Sequence, residues 1–261
     1  MSLIIGLSRS MLAAVCGEVR DLLFPRGCAG CDLPDEVLCP SCSALFMERY
    51  EFPVAGLFHG PGLACAKYRG PARRAILGWK DHDDQELTGP LSEALSHLAL
   101  DAGQVFGAPM GPILVVPAPS SAASMRRRGR MHMLPLARAV AAAFTKAGRP
   151  ARACPALVME AVRGKAVELH GSTARAGRLS GRIHVKRGSG VDGRSVIVVD
   201  DIVTTGSTVR QCILALRAAN AKPLAVLALA LAGPEQGADA GPVRSYGMNR
   251  GHLVPTGCAA R

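Results

Sequence analysis

Val196-Ile-Val-Val-Asp-Asp-Ile-Val-Thr-Thr-Gly-Ser-Thr208 is the stretch on which the fold turns. Val196–Val199 is apolar on both faces, as a central parallel strand must be. Asp200 and Asp201 stand at its carboxyl end, where ligands bind in open α/β sheets. Thr204, Thr205, Gly206, Ser207 and Thr208 follow, and then a helical pattern begins. Gly206 lets the backbone turn tightly. The amides of residues 205–208 then converge at a helix N-terminus, which suits a phosphate dianion. Each charge-assisted hydrogen bond there contributes about 1.5–3 kcal/mol. Two adjacent carboxylates would repel a phosphate, but they suit ribose hydroxyls, with a bound Mg²⁺ offsetting charge. A plain helix N-cap needs one such residue, not this density of them.

Working outward, the chain alternates strands and helices. Ile113–Val116 reads as a buried strand stopped by Pro117, and 156–159, 195–199 and 225–231 read as further strands. Helices are expected over 72–79, 87–100, 133–147 and 207–219. This order predicts an α/β fold with a mainly parallel sheet flanked by helices. Residues 1–25 read as an amphipathic helix, 26–60 as a cysteine module, 61–232 as the principal domain and 233–261 as a loose Gly- and Pro-rich tail. The basic stretch 160–190 reads as a mobile loop whose Arg163, Lys165 and Arg175 can close over a diphosphate.

Cys28-Ala-Gly-Cys31 and Cys39-Pro-Ser-Cys42 are two C-x₂-C pairs seven residues apart. Each pair puts two thiolates on one tight turn, and the two turns complete a tetrahedral site for structural Zn²⁺. Redox pairs or disulfides are the alternative. Nine cysteines in all, four of them clustered, do not read as a secreted disulfide framework, and a reducing cytoplasmic location is expected. Cys65, Cys154 and Cys212, with Cys16 and Cys258, read as small buried apolar residues. No stretch is long and apolar enough for a membrane span, so no membrane insertion is expected.

Val115-Val-Pro-Ala-Pro119-Ser120 lies about eighty residues before the acidic pair, and Arg126-Arg-Arg128-Gly129 follows it. The guanidinium groups suit a diphosphate, Arg128 above all, whereas the turn by itself is only a strand ending at Pro. Formal net charge is +11, which fits polyanionic partners. One Trp and 4% aromatics argue against base stacking on single strands. His132 and His170 are candidates for handling an acceptor only by their position in the chain.

Residues 196–208 closely resemble the signature of type I phosphoribosyltransferases. The resemblance implies that fold, with Asp200 and Asp201 on the ribose hydroxyls and Thr204–Thr208 on the 5′-phosphate. It implies phosphoribosyl pyrophosphate or a nucleotide as ligand, Mg²⁺ as cofactor and Pro119, Ser120 and Arg128 near the diphosphate. With the cysteine module ahead of it, the chain resembles the ComF family of competence-associated proteins. Asp21-Leu-Leu-Phe-Pro, Tyr68, Ile76, Lys80 and Val116-Pro-Ala-Pro-Ser carry that likeness. It implies a link to DNA uptake, with a helicase-like partner and single-stranded DNA. Arg130, Met131 and His132 depart from an Arg-Gly-Phe-Asn-Gln element, and Arg178 departs from an Arg-x-x-Asn element around Arg175.

Overall fold

Apolar runs too short to fold alone gain stability by stacking into one sheet. In the computed structural model, which describes residues 26–57, 60–104, 111–160 and 182–233, they do so in two layers around a sheet. The helix expected over 1–25, the tail expected over 233–261 (past Gly233), Cys16, Cys258, His170 and Arg163, Lys165, Arg175 and Arg178 of the expected loop lie outside these described residues.

The elements run α1 (Pro40–Ala44), β1 (Tyr50–Phe52), β2 (Gly62–Lys67), α2 (Gly70–Asp81), a 3₁₀ turn (Gln85–Leu87), α3 (Thr88–Gly103), β3 (Ile113–Pro117) and α4 (Ala122–Arg128). Then come α5 (Met133–Lys146), β4 (Ala151–Ala153), β5 (Leu157–Glu160), β6 (Arg182–Val185), β7 (Ser195–Val203), α6 (Ser207–Ala218) and β8 (Lys222–Leu231). Six strands form one sheet in the order β1-β2-β8-β7-β3-β4. Every pairing is parallel except β1 with β2. The mainly parallel α/β sheet is thus as expected.

The stretch 160–190 is not wholly a loop. Arg182–Val185 pairs antiparallel with β5, His184 opposite Val158, as a separate two-stranded ribbon. Ile183 and Val185 pack on the core while His184 alternates away from them, a period-2 pattern too short to stand out among basic residues. Arg126–Arg128 form the last turn of helix α4. Ser121 caps α4 by accepting from the Ser124 amide at 3.1 Å, and Gly129 closes it in a left-handed conformation, φ 66°.

The sheet's alternation places the functional residues. In β7, Ile197 and Val199 face the layer that includes α2, α3 and α5, with Trp79, Leu95 and Phe144. Val196 and Val198 face the opposite layer with Val209, Cys212 and Ile213 of α6. Carrying that period forward sends Asp201 toward α2 and α5 and Asp200 toward α6. The parallel register sets Pro117 beside Val199, so the segment after β3 leaves the sheet next to the acidic pair. The Ala118 amide donates to the Val199 carbonyl at 2.8 Å, fixing that exit.

Candidate functional site

Asp200 and Asp201 are both buried at the carboxyl end of β7. Asp201 is the more heavily engaged. Its Oδ2 lies 2.6 Å from the Lys80 ammonium of α2 and 2.7 Å from His132 Nε2. Its Oδ1 accepts from the Ile202 amide at 2.7 Å. Burial opposes ionisation of Asp201. The His132 hydrogen bond and the Lys80 charge outweigh it and hold the carboxyl down to about 2. Among the described residues Asp200 has no ion-pair partner, and the Lys80 charge is the least of the influences on it. Burial and the neighbouring Asp201 charge push it up to about 7, although Asp200 Oδ1 accepts from the Asp201 amide at 2.9 Å. The adjacent carboxylates therefore differ, one a fixed anion and the other poised near neutrality.

His132 is buried and ties this pair to the segment after β3. Its Nδ1 lies 3.4 Å from Ser120 Oγ and 3.3 Å from an Arg128 terminal nitrogen. Arginine only donates and carboxylate only accepts, so the ring satisfies both with its proton on Nε2 and Nδ1 accepting. Trp79 packs against the ring with centroids 5.2 Å apart. Arg128 also reaches Asp81 at 3.2 Å, and its side chain is 9% exposed. Among the described residues the Arg128 Nε is buried without a partner, so no described group uses that donor. Arg130 stands on Asp83 and on the Trp79 carbonyl, at 2.9 and 2.8 Å.

The structure thus brings Asp201, Ser120 and Arg128 into one network, with Pro119 half-buried beside Ser120 and Asp200 next to Asp201. Thr204, Thr205 and Ser207 are exposed, and Thr208 is half-buried. Gly206 takes φ 71°, the left-handed region, at the N-cap of α6. Helix geometry leaves the amides of Ser207, Thr208 and Val209 without carbonyl partners inside α6. Two residues matter more than their sequence signals suggested. Lys80 was marked only by resemblance and His132 only by its position, because nothing local tells that α2 and α5 converge on β7.

At the other end of α2 lies the cysteine module. The sulfurs of Cys28, Cys31, Cys39 and Cys42 lie within 4.8 Å of one another. A tetrahedral zinc site with Zn–S near 2.3 Å needs sulfurs about 3.8 Å apart, and Cys31 and Cys39 stand at 3.6 Å. Burial raises the Cys42 and Cys39 thiols. Burial also opposes ionisation of Cys28, yet backbone donors from Cys39, Cys31 and Gly30 bring it down to about 7. A Cβ on Gly30 would lie 2.6 Å from Cys42 Sγ, so the turn is closed too tightly for a side chain. The four-thiol set can therefore hold a metal ion. Cys65, Cys154 and Cys212 are buried, as expected of small apolar residues. No helix among the described residues is long and apolar enough to cross a membrane.

Residues 134–249 match the family model described as "Phosphoribosyl transferase domain". The matched stretch contains β7, the acidic pair, the threonine loop, α6 and β8, and the mainly parallel sheet flanked by helices is that of a phosphoribosyltransferase fold. Among solved structures, a hypoxanthine phosphoribosyltransferase from Staphylococcus aureus is similar at 15% identity, covering 58% of this chain and 71% of that one, TM-score 0.33. A structure titled as the allosteric regulatory enzyme of purine biosynthesis is 23% identical over 52% of this chain and 25% of its own, TM-score 0.29. Glutamine phosphoribosylpyrophosphate amidotransferase from B. subtilis is 20% identical over 52% and 26%, TM-score 0.31. This chain therefore spans about a quarter of the length of the last two. No curated protein sequence matches it.

Proposed function

We propose that the edge formed by β3 and β7 binds phosphoribosyl pyrophosphate with Mg²⁺ and passes ribose-5-phosphate to an acceptor. The observation that carries this is the pairing of a buried Asp200–Asp201 step with a left-handed Gly206 opening α6. The amides and hydroxyls of Thr204, Thr205, Ser207 and Thr208 would take the 5′-phosphate. Asp200 would accept from a ribose hydroxyl, while Asp201, already held by Lys80 and His132, fixes the local charge. Pro119 and Ser120 would turn the chain against the diphosphate, and Arg128, whose Nε no described group uses, would face it. The oxygens of Asp200 and the diphosphate are the hard donors Mg²⁺ prefers, and the bound ion would neutralise the leaving pyrophosphate.

Calorimetry with Mg²⁺ and phosphoribosyl pyrophosphate tests the reading, comparing wild type with Asp200→Asn/Asp201→Asn. Magnesium-dependent heat in wild type alone is expected, and its absence in wild type rejects the ligand. Pyrophosphate release with a panel of bases then separates transfer from binding.

The four cysteines would hold zinc in a structural role, with no open coordination position for chemistry. The combination of module and domain supports membership of the ComF family and a role in DNA uptake. A second reading, a binder that works with a helicase-like partner on single-stranded DNA without turnover, draws support from the +11 charge and from exposed Arg126 and Arg127. A steep salt dependence of single-strand binding, lost in Arg126→Ser/Arg127→Ser, would favour it. Salt-independent or absent binding would reject it.

A further inference from the structure

One helix joins the cysteine module to the acidic pair. At the start of α2, Arg74 Nε donates to the Gly30 carbonyl at 2.6 Å, between Cys28 and Cys31. A Cβ on Gly30 would also lie 3.2 Å from Pro71 Cβ, so the metal-ligand turn and the first turn of α2 are in close register. Just beyond the helix, Arg26, two residues before Cys28, makes a double hydrogen bond to Asp84 at 2.6 and 2.7 Å and an ion pair with Glu86. The module is thus attached near both ends of α2.

The last turn of α2 supplies three contacts to the site. Trp79 packs on His132, Lys80 pairs with Asp201 and Asp81 accepts from Arg127 and Arg128. Between the two ends, Ala72, Ala75 and Ile76 are buried in the sheet layer, and a packed helix is one of the rigid elements that can carry coupling between two sites.

We propose that Arg74 is a positioning residue for the ligand site, through which the metal-loaded cysteine module sets the placement of Lys80, Asp81 and Trp79. The attachment fixes where α2 sits along its axis. Releasing it lets Lys80 withdraw from Asp201, which leaves a buried carboxylate less compensated where a diphosphate must approach. The zinc site then acts on ligand affinity without touching the ligand. The ligand part of this inference rests on the phosphoribosyl pyrophosphate reading, whereas the placement of α2 does not.

Trp79 is the one tryptophan of the chain, so its emission reports the far end of α2 directly. The full-length chain is compared as wild type, Arg74→Met, Arg74→Lys and a control, Arg73→Met, whose side chain lies over the Tyr68 ring. Zinc content, far-UV circular dichroism, Trp79 emission with acrylamide quenching and the Kd for Mg²⁺-phosphoribosyl pyrophosphate are measured. Arg74→Met is expected to keep its zinc and helix content, to shift Trp79 emission to longer wavelength and to weaken binding about three- to tenfold. Arg74→Lys, which retains a donor, recovers part of both, and Arg73→Met changes neither. Unchanged Trp79 emission in Arg74→Met, or an equal change in Arg73→Met, overturns the proposal. If wild type binds no ligand, the ligand reading fails while Trp79 still decides the placement of α2. If Arg74→Met does not fold, Trp79 emission is followed in wild type as zinc is progressively removed. A shift that tracks zinc before the far-UV signal falls supports the relay, and no shift until the fold is lost overturns it.

Discussion

Lys80 of α2 holds its ammonium 2.6 Å from Asp201 Oδ2, across the carboxyl end of β7. The lysine side chain is 21% exposed and the aspartate 8%, so the pair is poorly screened by water. Removing one partner of such a pair strands the other charge. Lys80→Met is expected to lower the free energy of unfolding by about 3 kcal/mol. Lys80→Met/Asp201→Asn is expected to recover part of that loss, because neither charge is then left alone. Urea unfolding of the two single variants and the double variant measures the coupling, and additive losses would show that the pair contributes nothing as a pair.

Asp200 gives the site a pH dependence of definite sign. Its carboxyl is raised to about 7 in the fold, against about 3.9 in an unfolded chain. Between those values the native state holds more protons than the unfolded one, so stability falls as pH rises through that window. Asp201 acts oppositely. Held down to about 2, it contributes stability above the unfolded value that is lost as pH falls below it. Asp200→Asn removes the first effect alone. The melting temperature of the variant relative to wild type should therefore climb from pH 4 to 7 and then level off, by about the span of this titration. A constant difference over that range would mean that Asp200 ionises as an ordinary surface carboxylate.

What could be read from the chain, and what could not, follows the range of the interactions. Val196–Val199, Asp200-Asp201 and Gly206 act on neighbours in sequence, and the parallel strand, the acidic edge and the turn were all legible. So were the two C-x₂-C turns. The short β2, Gly62–Lys67, is built of Gly, Leu, Ala, Cys and Lys and carries no β-branched residue. Only pairing with β8 makes it a strand, so tertiary context overrode propensity there. The ribbon of β5 and β6 depends on a partner across the 161–181 stretch, which no window along the chain can join. Lys80 and His132 pose the same difficulty at the site. Lys80 falls just past the helix expected over 72–79 and His132 just before the one expected over 133–147, and their chemistry comes from Asp201, which lies far along the chain.

Gly206 separates backbone strain from side-chain crowding. Its φ is 71°, and a Cβ placed on it would meet nothing among the described residues within 4 Å. Gly206→Ala therefore fits sterically beyond its own backbone, and its cost is conformational, about 1 kcal/mol. If the threonine loop cradles phosphate, the same variant should weaken phosphate-ligand affinity by more than the loss in stability alone implies, because the amides of residues 205–208 no longer converge. Melting temperature and calorimetric affinity measured on one preparation separate the two effects. Unaltered affinity would exclude this loop from the phosphate site.

The cysteine module depends on the larger domain for its packing and is expected to depend on metal for its shape. Phe46 belongs to the main hydrophobic core, and Ala29, Val37 and Leu38 pack against that core. Cys28, Cys39 and Cys42 form only a small cluster of their own. Four thiols brought this close, without a cation, would repel one another as thiolates or bury unmade bonds as thiols. Metal binding resolves both and contributes to folding directly. One zinc per chain is therefore expected, and Cys31→Ser should lose it, since a hydroxyl replaces one of only four ligands. The loss should lower the melting temperature and raise protease sensitivity within residues 26–46. Stoichiometric zinc in Cys31→Ser, or a zinc-free wild type with the same melting temperature before and after added Zn²⁺, would refute a structural zinc site.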